Sequence, residues 1–231
     1  MIRSPIDTQA TAITRARYER LSRTYDLMEA LPERRCRPWR QKLWTLVHGP
    51  RVLEVGVGTG KNMPFWPRDV SMTAIDLTPG MLEHACRRAA ELNVNADLYL
   101  GDVQALDFPD ASFDTAIATF VFCSVPDPVL GLRELKRVVK PGGQIVLLEH
   151  MRSPNPVVGK LMDTVNPLVV RVMGANVNRR TVANVQKAGL VLERVENLAM
   201  GGIVRLIVAK SGGSAQSVWR LFSRTDVDAQ R

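Results

Sequence analysis

The chain has 231 residues, 45% hydrophobic and 23% charged, with a net charge of +8, which suits one α/β domain with a sizeable core plus decorations. Its three cysteines, Cys36, Cys86 and Cys123, are odd in number and far apart, which excludes a disulfide framework. His48, His84 and His150 are equally scattered, so no metal site is expected.

The N-terminus, Met-Ile-Arg-Ser-Pro-Ile-Asp, lacks the apolar core of a signal peptide. The most hydrophobic later stretch, residues 156–173, carries Lys160, Asp163, Pro167 and Arg171, so it should not span a bilayer. A cytoplasmic protein is therefore expected. Residues 1–50 hold ten Lys/Arg against five acids, a net +5. Tyr18, Leu21, Tyr25 and Met28 share one helical face, and Arg15, Arg17, Arg20 and Arg23 lie off it. Two readings stand: a lid helix whose arginines are solvated, or a basic amphipathic helix in peripheral contact with an anionic membrane. No aromatic-interleaved basic ribbon supports nucleic acid as a partner.

Residues 51–60 read Arg-Val-Leu-Glu-Val-Gly-Val-Gly-Thr-Gly. Val52, Leu53 and Val55 suit a buried strand, which breaks into Gly56, Gly58 and Gly60. Glycines there let a ligand lie against the backbone, and a strand ending so is where open α/β sheets bind nucleotides. Asp76 ends a second apolar stretch, twenty residues after Gly56. A carboxylate at that tip is placed to accept both hydroxyls of a ribose. A dinucleotide fingerprint would need a third glycine where Lys61 stands.

Further elements follow in order. Thr78 is a plausible N-cap and Pro79 a first helical residue, with Met81, Ala85, Ala89 and Leu92 at helical spacing. Gly101-Asp102-Val103 follows a strand at 97–100, and residues 113–119 form an acid-headed strand ending in Thr119. A helix with Leu132, Leu135 and Val139 inward ends in cations and is stopped by Pro141-Gly142-Gly143, before a strand at 144–149. Residues 179–188 read as a helix, and 190–197 and 203–209 as two strands joined by the turn Met200-Gly201-Gly202. Ser211-Gly212-Gly213-Ser214 reads as a linker, and the tail beyond it as mobile apart from residues 218–222. The expected division is a helical lid region at 1–50, a core domain at 51–210 and a flexible tail at 211–231.

From about residue 51 to 150 these motifs resemble, in order and spacing, the class I S-adenosylmethionine-dependent methyltransferases. The resemblance implies a Rossmann-like, doubly wound seven-stranded sheet, mostly parallel with an antiparallel last strand, plus N-terminal helices. It implies S-adenosyl-L-methionine as cofactor, with contacts from Glu54, Gly56, Gly58, Gly60, Asp76, Leu77, Met81, Asp102, Val103 and Thr119. Asp102 would face the adenine amino group. Tyr25-Asp26-Leu27-Met28 resembles the N-terminal Tyr-Asp motif of the ubiquinone/menaquinone-biosynthesis methyltransferases and bacterial phospholipid N-methyltransferases, which implies that Tyr25 lies over the cofactor as part of a lid. Residues 122–125, 148–153 and 178–181 also resemble phospholipid methyltransferases and the mammalian methyltransferase-like thiol methyltransferases, whereas quinone-enzyme signatures are not evident there.

A methyl group on a sulfonium is already activated, so the protein must chiefly hold a nucleophile in line and exclude water. Acid–base help is needed only when the nucleophile carries a proton. Cys123, Glu149 and His150 are the candidates at the ends of the fourth and fifth strands. His150 has the intrinsic pKa of a base, or else positions a loop. Cys123 reads as a small buried residue or a nucleophile. Val157, Val158, Leu161, Met162, Val165, Leu168, Val169 and Val172 lie where the family's substrate cap usually forms, which suggests a lipophilic substrate, though a packing helix would look the same. The expected function is methyl transfer to a small lipophilic or lipid-headgroup acceptor, a phospholipid amine or quinone-like molecule. A thiol or other small-molecule acceptor, a nicotinamide-dependent dehydrogenase and a cofactor-binding regulatory module are the alternatives. The sequence sets neither the acceptor atom nor the oligomeric state.

Overall fold

A computed structural model describes residues 6–212; residues 1–5 and 213–231, including the 218–222 cluster, lie outside the described residues. Two helices come first, α1 (Thr8–Met28) and α2 (Ala30–Trp44). Asp7 caps α1 by accepting from the Ala10 amide at 2.9 Å. The remaining chain alternates β1 (Arg51–Val55), β2 (Ser71–Asp76), α3 (Pro79–Glu91), β3 (Ala96–Leu100), β4 (Phe113–Thr119), α4 (Pro128–Val138), β5 (Val139–His150), α5 (Pro156–Met173), α6 (Thr181–Lys187), β6 (Val191–Ala199) and β7 (Val204–Lys210).

The strands form one seven-stranded sheet in the order β3-β2-β1-β4-β5-β7-β6. Pairings from β3 across to β5 are parallel, and β7 runs antiparallel to both β5 and β6. The expected sheet is therefore present, its last strand in the chain being the reversed one. Strand order turns back between β1 and β4, and that switch opens a crevice at the carboxyl ends of the strands.

Period-two alternation explains why both faces are covered. Leu53, Val55, Ala116, Ala118, Ile145 and Leu147 pack into one apolar layer with Leu135 of α4 and Val185 of α6. Val52, Ile117, Val146 and Leu148 point the other way, toward Leu43 of α2 and Ala85 of α3. These residues are fully buried, so truncating one such as Leu147 to alanine would cost about 2–5 kcal/mol.

Two boundaries differ from the sequence reading. Pro141-Gly142-Gly143 does not stop α4, which ends at Val138, because Val139 already pairs with Phe113 of β4. The register then shifts, and Gly142, with φ +77°, sits within the strand's irregular start. The helix expected at 179–188 is shorter, since Arg179 and Arg180 remain in the preceding loop. The hairpin at 200–202 follows the reading: Met200, Gly201 and Gly202 all have positive φ.

Candidate active site

The crevice at the strand tips is lined from five segments: the turn after β1, the ends of β2, β3 and β4, and the inner face of α1. The turn after β1 depends on glycine. Gly56 has φ +66°, and a Cβ there would lie 2.5 Å from Cγ2 of Val121. Gly58 has φ +56°, and a Cβ there would meet nothing within 4 Å, because that side opens on the cleft. Its amide donates to Oδ2 of Asp76 at 2.8 Å, and the Thr78 amide donates to Oδ1 at 2.9 Å. Two backbone donors thus aim a carboxylate at the tip of β2. Burial nevertheless pushes the Asp76 pKa above the usual aspartate value.

At the tip of β3, Asp102 accepts from the Gln104 amide at 2.9 Å, and the Gln104 side chain caps both its oxygens. The side-chain oxygen of Gln104 in turn accepts from the Asp127 amide at 2.9 Å, which ties the β3 tip to the start of α4. Two carboxylates therefore flank the cleft, each held by its own local hydrogen bonds.

Helix α1 lies over this opening, with Thr14, Tyr18 and Tyr25 facing in. It is fixed at three places. Thr11 reaches Asp102 at 3.5 Å and accepts from Gln104 at 3.1 Å. Glu19 accepts from the Gly80 amide at the start of α3 at 3.0 Å. Asp26 accepts from the hydroxyl of Thr59 in the glycine turn at 2.6 Å and from Arg88 of α3 at 2.7 Å. These last contacts and Lys61 hold the Asp26 carboxyl below its usual pKa although burial opposes them. The Lys61 ammonium also sits 5.1 Å over the Tyr25 ring. Burial keeps the phenols of Tyr18 and Tyr25 protonated by pushing their pKa values up.

Of the expected site residues, the structure brings Tyr25, Gly56, Gly58, Asp76, Leu77, Met81, Asp102, Val103 and Thr119 together around the cleft. Three stand elsewhere. Gly60 follows the turn and faces Met63, whose Sδ would lie 2.8 Å from an added Cβ. Glu54 is buried beneath the turn, accepting from Asn62 at 2.6 Å and from the Trp66 indole at 2.7 Å. Asn62 also donates to Thr119 at 3.0 Å and accepts from Arg40 at 2.8 Å, so Glu54 braces the cleft floor from behind. Burial pushes the Glu54 pKa up to about 7.

The third is His150, which ends β5 opposite Val204 and is not part of the cleft lining. Burial lowers its pKa. Its neighbour Glu149 is fully buried, and one carboxylate oxygen accepts from the amides of Val121 and Phe122, each at 3.0 Å. Cys123 is buried as well, with a pKa pushed up to about 12 by burial and the nearby Glu149 carboxylate. Among the described residues no group of three His, Cys, Asp or Glu side chains is placed to hold a metal ion.

The sequence reading did not assign Tyr18, Thr14, Gln104 or residues 124–126 to the site. Tyr18 had a signal, because it stands two helical turns before Tyr25 and so shares its face.

A model of the family described as a methyltransferase domain matches residues 53–147, the span from the glycine turn into β5. The demethylmenaquinone methyltransferase of Renibacterium salmoninarum is 30% identical over 184 residues, covering 78% of this chain and 74% of that protein. This chain belongs to the class I S-adenosylmethionine-dependent methyltransferases. The phosphatidylethanolamine N-methyltransferase of Cereibacter sphaeroides is 40% identical over 104 residues, but the match spans only about half of that protein's length, 51%. In fold, the chain is similar to a Thermotoga maritima structure titled as an S-adenosylmethionine-dependent methyltransferase and possible histamine N-methyltransferase, with a TM-score of 0.65, 20% identity and coverage of 85% of this chain and 99% of that one.

The cleft suits the family's cofactor. An oriented carboxylate stands at Asp76, open space at Gly58, a second carboxylate at Asp102 and tyrosines on the lid. This methyltransferase would hold the ribose hydroxyls through Asp76 and the adenine near Asp102 and Val103, with Tyr25 above.

Proposed function

We propose that this methyltransferase acts on a small lipophilic or lipid-headgroup acceptor, a phospholipid amine or a quinone-like molecule. The observation that carries the reading is the cleft itself: two anchored carboxylates on one side and two half-buried, neutral tyrosines on the other. The names of the relatives, a phosphatidylethanolamine N-methyltransferase and a demethylmenaquinone methyltransferase, support the acceptor class. When bound, S-adenosylmethionine supplies an activated methyl group.

The chain's own part is positioning. Asp76 and Asp102 fix the nucleoside, and α1 excludes water. Tyr18 and Tyr25 offer aromatic walls that favour a cationic or apolar group. The proton inventory is short. Burial pushes the Cys123 thiol up to about 12, which favours the protonated thiol at neutral pH. Glu149 uses one oxygen to hold the amides of residues 121 and 122, so it shapes the loop after β4. An acceptor amine therefore reacts in its neutral form, losing its proton before it enters the cleft.

The test is turnover with methyl-labelled S-adenosylmethionine against phospholipid amines, quinols, phenols, thiols and small amines. Lipid extracts of expressing cells should contain species heavier by one methyl group. Label appearing only on thiols would replace the lipid reading with the thiol alternative, and binding without turnover on any acceptor would leave a regulatory module.

A further inference from the structure

Helix α5 turns most of its aliphatic side chains outward. Val157, Leu161, Leu168 and Val172 are 79%, 62%, 66% and 71% exposed, and Val158 and Val165 are exposed as well. Steps of four, four, three and four residues from Val157 through Val165 to Val172 place them on one stripe. The inward side is Gly159 and Met162, with Arg152 laid across Gly159 and Met162 accepting from the Ser153 amide. This stripe does not line the cleft, so the expected substrate cap is not its role in this state. The converse holds for α1, whose Tyr18 and Tyr25 face the cleft and are not free to enter a bilayer.

The two helices meet at the site. Gly174, which caps α5, abuts Arg17 and Tyr18 of α1. Asn176 then bonds the carbonyl of Cys123 twice, through its amide at 2.8 Å and its side chain at 3.0 Å, beside the cleft-lining residues 124–126. The apolar stripe thus ends at the rim of the cleft. Both helices carry exposed cations: Arg15, Arg20 and Arg23 of α1 and Lys160 and Arg171 of α5 form no ion pair with another described residue. The acids near them are engaged, Glu19 and Asp26 in fastening α1 and Asp163 with Arg152 and Asn178.

We infer that α5 inserts its aliphatic stripe into an anionic phospholipid surface while the arginines of α1 face the headgroups, which sets the cleft rim against the bilayer. An apolar helix face that carries its own lysine and arginine, Lys160 and Arg171, matches a negatively charged lipid interface. No helix among the described residues is long and apolar enough to cross a membrane, so the contact is peripheral. The inference rests on the lipid-acceptor reading, but its test does not depend on turnover.

The full chain would be sedimented with vesicles of phosphatidylcholine alone and of phosphatidylcholine mixed with phosphatidylglycerol, at rising salt. The companion variant is Leu161→Gln/Leu168→Gln, which changes only exposed side chains and should keep the wild-type affinity for S-adenosylhomocysteine. Binding to the anionic vesicles, lost progressively with salt and reduced roughly tenfold or more in the variant, supports the inference. Equal binding of wild type and variant, or no binding by either, overturns it. A wild-type dimer in sedimentation velocity that becomes monomeric in the variant also overturns it, since the stripe would then face a second copy of the chain. Vesicle binding with no methylated lipid would instead count against the acceptor reading alone.

Discussion

The Gly58 amide and the Asp76 carboxylate are joined by a 2.8 Å hydrogen bond that ties the tip of β1 to the tip of β2. The glycine turn and the carboxylate at the tip of β2 are therefore one mechanical unit. Replacing Asp76 by alanine removes the anchor and frees the turn together. Affinity for S-adenosylhomocysteine should fall by about 1–3 kcal/mol in calorimetry, the cost of charge-assisted hydrogen bonds lost from a buried site. Unchanged affinity would remove Asp76 from the site.

Gly56 and Gly58 separate strain from occupancy. Either one replaced by alanine should cost about 1–2 kcal/mol for a left-handed backbone. Gly56→Ala adds a clash with Val121 and should melt lower than Gly58→Ala. Gly58→Ala meets no protein atom within 4 Å, yet its methyl group enters the cleft. It should lose cofactor binding out of proportion to its loss of stability, as paired melting and calorimetry would show.

Two buried glutamates should respond oppositely to the same change. Glu54 accepts an N–H at each oxygen, so Glu54→Gln sets an amide group against a donor and should cost about 1–3 kcal/mol. Glu149 uses one oxygen for two amides and its other, Oε2, has no hydrogen-bond partner among the described residues. Glutamine can keep those two bonds, so Glu149→Gln should be neutral or stabilising at pH 8. Chemical denaturation of both variants would check this contrast.

The same pair sets a pH dependence. Burial raises each carboxyl from 4.5 to about 7, so the folded state holds protons that the unfolded chain releases. Their contribution is fully present below pH 4.5 and is lost as pH rises to about 7. Glu149→Gln should flatten this fall in stability between those values. A wild-type profile that rises across the window would contradict it.

The lid contacts predict kinetics more than stability. Tyr25→Ala should impair turnover while the ligand-free melting temperature stays nearly unchanged, because α1 lies outside the sheet's two apolar layers. Asp26→Asn weakens partly exposed pairs with Arg88 and Lys61, individually worth about 0–1 kcal/mol. It should speed S-adenosylhomocysteine release in stopped-flow measurements.

The sheet and the cleft were legible because their signals are local. Short, mostly apolar runs, each followed by Gly or Asp, mark the tips of β1, β2 and β3 directly. Helical spacing likewise showed α5 as a stripe, but spacing cannot say whether a stripe faces protein or solvent. The grip of Thr11, Glu19 and Asp26 was hidden because each contact joins residues far apart in the chain, Thr11 and Asp102 among them. The surroundings of Glu54 and His150 were hidden for a related reason. A polar residue beside a motif is assigned to the motif's ligand, yet Glu54 turns toward Asn62 and Trp66, and His150 lies away from the cleft. The resemblance that named Tyr25 missed Tyr18, although the two face the same cleft.

Helix α1 is fastened at three separate segments: the turn after β1, the start of α3 and the tip of β3. Thr11, Glu19 and Asp26 must release together, as a bar lifts from three brackets. If the nucleoside binds only with α1 displaced, that geometry sets a sequence for each cycle. The nucleoside would enter with the bar raised, the bar would seat, and the acceptor would follow. Initial-rate kinetics should accordingly be ordered, with S-adenosylmethionine first on and S-adenosylhomocysteine last off.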